Sequence, residues 1–280
     1  MLIAAEGIEM SQKSTILIVG GTGKTGRRLA DRLTALGHTV RIGSRSAEQP
    51  FLWEEEASWK PLLEGADGLY IAHHDNTHPD AGAQIGRLAQ LALDCGVKRQ
   101  VLLSGRADEA FLDAVEGGFR ASAADWTVLR PAWFMQNFSE MFFLDAVLAG
   151  EIVLPVGDAT EPFIDIEDVA AVAAAALLDG RHSGQVYELT GPESVGFEAA
   201  ADALTKATGR KISFTPIPFD TFRESILSNG LPEEYAYTYS GIADGKLAYV
   251  TDDVERVLGR KPRRFSEYAQ DAAASGVWDV

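Results

Sequence analysis

The sequence predicts an α/β fold: a doubly wound parallel sheet followed by a smaller mixed C-terminal region. In the first half of the chain, short apolar runs alternate with amphipathic helical patterns, as expected for parallel strands covered by helices on both faces. A glycine-rich turn at 20–26 joins the first apolar run to the first helix. The chain has 280 residues, 46% hydrophobic and 24% charged, which is enough to bury a large core.

The elements of the first half follow from apolar periodicity and from the breakers between them. Strands are predicted at 15–19, 39–42, 68–72, 100–103 and 126–129, and helices at 24–36, 59–63, 81–95 and 108–122. Gly37 and Gly96 end the first and third helices, and Pro131 ends the fifth strand. Gly117 and Gly118 weaken the helix at 108–122, because glycine is a poor helix former.

The second half of the chain has a looser pattern. An aromatic-rich helix is predicted at 134–148, a short strand at 163–166, an alanine-rich helix at 166–178 and a strand at 185–189. Further segments at 197–208, 211–216, 219–229 and 251–258 complete a mixed region. We expect a first domain at 15–150 and a smaller region at 151–280. Residues 160–180 either belong to that region or return to the first sheet.

The stretch ILIVGGTGKTGRRLADRL, residues 16–33, contains features of two phosphate-binding loops. An ATPase P-loop needs a glycine five positions before Gly23, where this chain has Ile18 inside an apolar strand. The alternative pattern, Gly20-x-x-Gly23-x-x-Gly26, begins where the strand ends and opens a helix. In that pattern the glycines permit a tight turn, close approach of a diphosphate and close helix–sheet packing. The spacing therefore predicts a Rossmann-type dinucleotide site.

The end of the second predicted strand indicates which nicotinamide cofactor is bound. An acidic residue there binds the ribose 2′-hydroxyl of NAD, whereas an arginine suits the 2′-phosphate of NADP. In TVRIGSRS, Ser44 and Arg45 occupy the turn, and no acid follows before Glu48. A guanidinium forms charge-assisted hydrogen bonds to phosphate, so we predict NADP(H). Lys24 either adds charge near the same phosphate or lies in solvent.

Composition narrows the classes of partner. The net charge of −16 and the sequence pI of about 4.7 argue against nucleic acid or an anionic membrane as the main partner. The single cysteine, Cys95, excludes an internal disulfide and fits a reducing compartment, so we expect a cytoplasmic protein. We expect it to be a monomer or a homodimer. Residues 1–14 lack the pattern of a signal peptide and read as a short extension, and no run of residues is apolar enough to cross a bilayer.

Several stretches taken together resemble the NmrA-like family of atypical short-chain dehydrogenase/reductases. The resemblance covers nearly the whole chain after residue 14 and rests on ILIVGGTGKTGRRLADRL, TVRIGSRS, QVLLSG, DWTVLRPAWFMQNF and PFIDIEDVAAVAAAAL, with YELTGPE and VTDDVERVLGRKPRRFSEYA further on. Members include quinone, azo-dye, isoflavone-type and ergot-alkaloid reductases. Other members are redox sensors that bind the cofactor without turnover.

The resemblance implies an NADP-binding Rossmann domain at 15–150, a smaller substrate-binding region at 151–280 and a cleft between them. Carried over by position, the diphosphate loop comprises Gly20, Thr22, Gly23, Lys24, Thr25 and Gly26. Ser44 and Arg45 stand at the 2′-phosphate, and Ala72 and His73 border the riboses. Ser104 occupies the position where the superfamily keeps a serine near the nicotinamide.

The Tyr-x-x-x-Lys dyad of ordinary short-chain dehydrogenases is missing. None of the seven tyrosines is followed four residues later by lysine, and no lysine occurs between Lys98 and Lys206. Reduction of a plain ketone leaves an alkoxide that needs an acid, whereas quinones, azo compounds and enones give delocalised anions that water can protonate. A flat, delocalised acceptor is therefore favoured. The catalytic residues remain unassigned, with Ser104, His73 and His74 as candidate proton donors.

Two further stretches carry candidate site residues. HHDNTH, at 73–78, holds metal-ligand types, but no second cluster supports a metal site, so we expect cofactor contacts and no metal. PAWFMQNFSEMFF, at 131–143, either packs the core or forms the wall of an apolar pocket. Its candidate substrate-binding residues are Trp133, Phe134 and Asn137, with Gln136 as a further polar anchor.

These observations favour an NADPH-dependent reductase of a small quinone-, azo- or enone-type acceptor. The alternative is a non-catalytic NADP(H)-binding sensor that acts through a protein partner. A carbonyl reductase with an unusual acid is a third hypothesis. The substrate and the face of the nicotinamide used do not follow from the sequence.

Overall fold

The computed structural model describes residues 13–280, so the expected N-terminal extension lies almost entirely outside the described residues. The strands are β1 Thr15–Val19, β2 Thr39–Gly43, β3 Gly68–Ala72, β4 Arg99–Leu103, β5 Asp125–Pro131, β6 Glu151–Leu154, β7 Thr160–Glu161, β8 Gln185–Leu189, β9 Val195–Gly196 and β10 Ser213–Pro216. The helices are α1 Lys24–Ala35, α2 Lys60–Leu63, α3 Ala81–Asp94, α4 Glu109–Ser122, α5 Asn137–Glu140, α6 Leu144–Ala149, α7 Ile166–Leu178, α8 Phe197–Thr208, α9 Phe219–Ser228, α10 Ser240–Ala243, α11 Asp253–Leu258 and α12 Phe265–Ala274.

A six-stranded sheet forms the centre of the first region. Its strand order is β2-β1-β3-β4-β5-β8, and every neighbouring pair is parallel. Because parallel strands end at the same edge, the carboxyl ends of β1 to β5 meet there, and the order reverses beside β1. The predicted doubly wound α/β fold is confirmed.

Alternating side chains of the strands face two separate cores. Leu17 and Leu69 contribute to the core beneath α2, α3 and α4. Ile18 and Tyr70, one position further along their strands, contribute to the opposite core, which includes side chains of α1, α7 and α11. Burial on both faces explains why these strands read as continuous apolar runs.

The smaller region has its own core of aromatic and aliphatic side chains from α5, α6, α8 and α12 with the β6–β10 pair. Residues 151–280 do not form one continuous region, however. Helix α7 packs on α1, and β8 pairs with β5 as the edge strand of the main sheet. The segment 160–180 therefore contributes a helix to the first region.

The helix predicted at 134–148 is wrong as a single element. The backbone breaks at Met141, where φ is −161° and ψ is −137°, and this break separates α5 from α6. The break allows Phe138 and Phe143 to enter the core while Phe142 stays about half exposed. A continuous helix would fix these side chains at a regular 100° spacing.

The strand predicted at 163–166 is also wrong, because only one parallel bridge, Phe134–Ile164, forms there. The paired residues lie earlier, in β7, which is antiparallel to β9. Helix α12, which was not predicted from the sequence, packs against α8. Across residues 13–280, no helix combines the length and hydropathy that crossing a membrane requires.

Candidate functional site

The turn after β1 is a cradle that only glycine can form. Gly20 has a φ of +78°, and a Cβ there would lie 2.7 Å from the Ala72 carbonyl oxygen. A Cβ on Gly26 would lie 2.3 Å from the Gly20 carbonyl oxygen. The Gly20 N–H donates to the Gly43 carbonyl (2.9 Å), which ties the turn to β2. The first N–H groups of α1, from Lys24 onward, have no partner within the helix and suit an anion.

A cavity of about 400 Å³ opens above this cradle at the carboxyl ends of the strands. Its lining contains nine of the predicted cofactor residues: Gly20, Thr22, Gly23, Lys24, Thr25, Ser44, Arg45, Ala72 and His73. Phe51, Trp53 and Glu54, which the sequence analysis did not single out, line it too. Gly26 lies beneath the cavity and lets α1 pack against the turn. A glycine cradle at a helix start beside a cavity fits the diphosphate and ribose of a dinucleotide.

Ser44 and Arg45 follow β2 at the rim of the cavity. Ser44 is buried, and its carbonyl accepts the N–H of Phe51 (3.0 Å), which holds the turn against the next segment. Arg45 is exposed, and the structure pairs it with no acid among residues 13–280. An unpaired guanidinium at this position is free to bind a phosphate from solvent.

His73 is held as part of the cavity wall. Its Nε2 lies 2.9 Å from Gln84 Oε1, and its ring centroid lies 4.4 Å from that of Trp53. Burial lowers the pKa of His73, so the imidazole is neutral near pH 7. Within the described part of the chain, no three His, Cys, Asp or Glu side chains gather in a metal-binding arrangement.

Lys24 lines the cavity, and its half-buried side chain extends toward the smaller region. Its Nζ is 3.1 Å from Asn137 Oδ1 and 3.1 Å from Met141 Sδ. Burial lowers the pKa of Lys24, while nearby Glu140 opposes this shift. The ammonium therefore lies where the two regions of the chain meet.

A second, more apolar pocket of about 520 Å³ adjoins the first, and Lys24 and Phe134 line both. The second pocket also contains the predicted residues Trp133, Asn137 and Ser104. The pocket has three further polar or charged members that were not predicted from the sequence: Arg106, Glu161 and Thr238. The stretch 131–143 thus does both things proposed for it, since Phe138 and Phe143 are core residues while Trp133, Phe134 and Phe142 face the pocket.

Ser104 adjoins a buried ion pair on α4. Glu116 is fully buried and accepts hydrogen bonds from Arg130 Nε (2.8 Å) and Nη2 (2.7 Å), and it also contacts Arg120. Burial alone would raise the pKa of Glu116, but the hydrogen bonds from Arg130 hold it below its ordinary value. The Ser104 hydroxyl is buried at the edge of the pocket, and within residues 13–280 it has no hydrogen-bond partner.

Comparison with known proteins places the chain in a family. The model of the NmrA-like family matches residues 52–269. The chain belongs to the NmrA-like family. The resemblance seen in the sequence motifs is thus confirmed.

Two relatives by sequence and one structural neighbour show what the chain is similar to. The chain is 33% identical to an uncharacterized oxidoreductase, YesF, of Bacillus subtilis, over 96% of this chain and 98% of the relative. It is 29% identical to an NAD(P)H azoreductase of Xenophilus azovorans, over 93% of this chain and 98% of the relative. Its fold matches NmrA, a negative transcriptional regulator solved in complex with NADP, with a TM-score of 0.73 at 19% identity, over 95% and 97% of the two chains.

Proposed function

We propose that the protein is an NADPH-dependent reductase of a flat, delocalised small molecule of the quinone, azo or enone type. The observation that carries this proposal is the direct contact of two pockets, one above the glycine cradle and a more apolar one lined by Trp133, Phe134 and Phe142. An acceptor in the second pocket adjoins a nicotinamide at the end of the first. The azoreductase relative acts with the same cofactor class.

The chain's own residues have separable roles in this proposal. The turn N–H groups and the start of α1 bind the diphosphate, and Arg45 binds the 2′-phosphate. The bound cofactor supplies a hydride. Trp133 and Phe134 hold a planar acceptor by stacking and exclude water, while the Lys24 ammonium attracts the electron-rich end of the acceptor.

Turnover with a panel of quinones, azo dyes and enones tests the proposal, followed as the loss of dihydronicotinamide absorbance. Phe142→Ala should raise the KM for the acceptor severalfold and leave the Kd for NADPH unchanged, because Phe142 lines only the second pocket. Leu227→Ala is the matched control, since Leu227 is similarly exposed (44% against 47%) and lines neither pocket. Tight NADPH binding without turnover of any acceptor would contradict the enzyme and support the alternative, a redox sensor like the NmrA regulator.

A further inference from the structure

The acceptor pocket contains a buried carboxyl group that the proposed function has not yet used. Glu161, on β7, is only 3% exposed and lines the pocket beside Trp133 and Arg106. One of its oxygens accepts the backbone N–H of Trp133 at 3.1 Å. Within residues 13–280, the structure gives this carboxyl no other hydrogen bond and no ion pair. A buried carboxylate with one donor is poorly stabilised, which favours the neutral acid.

The cations of the pocket are engaged elsewhere. Arg106 donates to the carbonyls of Leu247 (2.7 Å) and Tyr249 (3.2 Å), and its Nε lies 3.5 Å from Glu188 Oε2. Lys24 is held by Asn137 and Met141. Neither cation forms a salt bridge with Glu161, although Arg106 acts on it at longer range.

A further titratable group beside Trp133, Tyr239, does not change charge near neutral pH. Tyr239, whose ring centroid is 5.8 Å from that of Trp133, has its pKa raised by burial to about 12. Burial raises the pKa of Glu161 to about 7, while the Trp133 N–H and Arg106 lower it by less. A carboxyl group with that pKa is about half protonated at pH 7, and a catalytic acid works best when its pKa lies near the operating pH.

We propose that Glu161 is the acid that protonates the acceptor as it is reduced. This inference rests on the proposed function and supplies the proton donor that the missing Tyr-x-x-x-Lys dyad leaves unassigned. Glu161 lies in the pocket wall beside the stacking surface of Trp133, so its O–H faces a molecule bound there. A positioned acid extends the range of acceptors to compounds whose reduced anions are protonated only slowly by water.

The atoms and electrons of the step balance. A bound dihydronicotinamide would supply the hydride, its C–H bond breaking as the cofactor is oxidised. The hydride would form a new bond to hydrogen on the acceptor and move an electron pair to the acceptor's terminal oxygen or nitrogen. The O–H bond of Glu161 breaks as an O–H or N–H bond forms on that atom. The acceptor gains two electrons and two hydrogens, and the Glu161 carboxylate regains its proton from water.

Infrared spectroscopy measures the proton on Glu161 without any cofactor or acceptor. The difference spectrum of wild type minus Glu161→Gln should contain the carbonyl band of a protonated carboxyl, which disappears as the pH rises through about 7. A spectrum that shows a carboxylate throughout, down to about pH 5, would overturn the proposal, because the residue would then have no proton to give near neutral pH.

The pH profile of turnover tests the role of that proton. With the best acceptor of the panel, wild-type kcat should be level below about pH 7 and fall about tenfold per pH unit above it. Glu161→Gln should lower kcat about 100-fold or more, remove this break and leave the Kd for NADPH unchanged. Glu161→Asp keeps a carboxyl group and should restore both the break and part of the rate.

The matched control is Glu198→Gln, which makes the same change in charge at an exposed glutamate of α8 that lines neither pocket, and it should keep the wild-type profile. A Glu161→Gln enzyme with an unchanged kcat and pH break would overturn this inference and leave the proposed function intact. Absence of turnover in the wild-type protein would overturn both. In that case the infrared titration and NADPH binding show whether the fault lies in the acid or in the cofactor site.

Discussion

At the scale of single residues, the site depends on positions that have no room for a side chain. The glycine turn illustrates this, because a Cβ on Gly20 or Gly26 would collide with backbone oxygens. Sequence spacing alone predicted this turn, since glycine spacing records local backbone geometry. The position of Arg45 in the turn after the second strand was predicted in the same way.

Arg45→Asp should discriminate between the two nicotinamide cofactors. Loss of charge-assisted hydrogen bonds to a phosphate costs about 1.5–3 kcal/mol, so NADPH affinity should fall about 10- to 100-fold. NADH, which has no 2′-phosphate, should be affected much less. Fluorescence titration of both nucleotides measures the ratio.

The control for this substitution is Arg181→Asp, which makes the same change in net charge at an exposed arginine that lines neither pocket. It should leave the NADPH-to-NADH ratio at the wild-type value. An equal loss of both nucleotides in Arg45→Asp would contradict the assignment of Arg45 to the 2′-phosphate.

Glu161 shows the limit of prediction at this scale. Its burial results from β7 meeting β9 and the backbone of Trp133, which are 28 or more residues away along the chain. In the sequence it is one acid among 41. Its surroundings, which set its chemistry, exist only once the chain has folded.

At the scale of elements, one of the two glycines that weakened the helix prediction at 108–122, Gly118, has a packing role. Gly118 on α4 faces Gly86 on α3, and a Cβ on Gly86 would lie 3.1 Å from the Gly118 backbone. One turn earlier, a Cβ on Gly82 would lie 1.9 Å from the Ala114 carbonyl oxygen. The two helices therefore pack with their backbones in near contact. Helix propensity considers one helix at a time, so it does not predict a close contact between two helices.

Gly82→Ala should destabilise the protein by about 1–3 kcal/mol, because the added methyl group forces α3 and α4 apart. Urea unfolding measures the change. Gly117→Ala is the matched control on α4, since a Cβ there meets nothing within 4 Å. It should be neutral or stabilise the protein by up to about 1 kcal/mol. Equal stabilities of the two variants would contradict the close helix contact.

Periodicity predicted the bounds of several elements correctly, including some that are buried on two faces. Strand β3 and helix α7 have the predicted bounds, because their burial follows directly from their apolar pattern. The stretch 134–148 was mispredicted because its aromatic residues serve both a core and a pocket. A periodicity argument assumes that apolar side chains share one destination.

At the scale of the whole molecule, the second pocket lies where two regions of the chain interleave. Helix α1 of the Rossmann region is joined to α5 of the smaller region by Glu140, which accepts from Arg27 and Arg28 at 2.6 Å each. Lys24 reaches Asn137 in the same place. The family resemblance implied a cleft between two regions, but the residues that connect them could not be read from the sequence.

The central claim is that the cradle after β1 binds NADPH. Calorimetric titration of the wild-type protein with NADPH tests it most directly, with the fluorescence of Trp53, which lines the same cavity, as a second observable. We predict one nucleotide bound per chain, with quenching of Trp53 and an affinity at least about tenfold higher than for NADH. No heat and no change in fluorescence at millimolar NADPH would contradict the account.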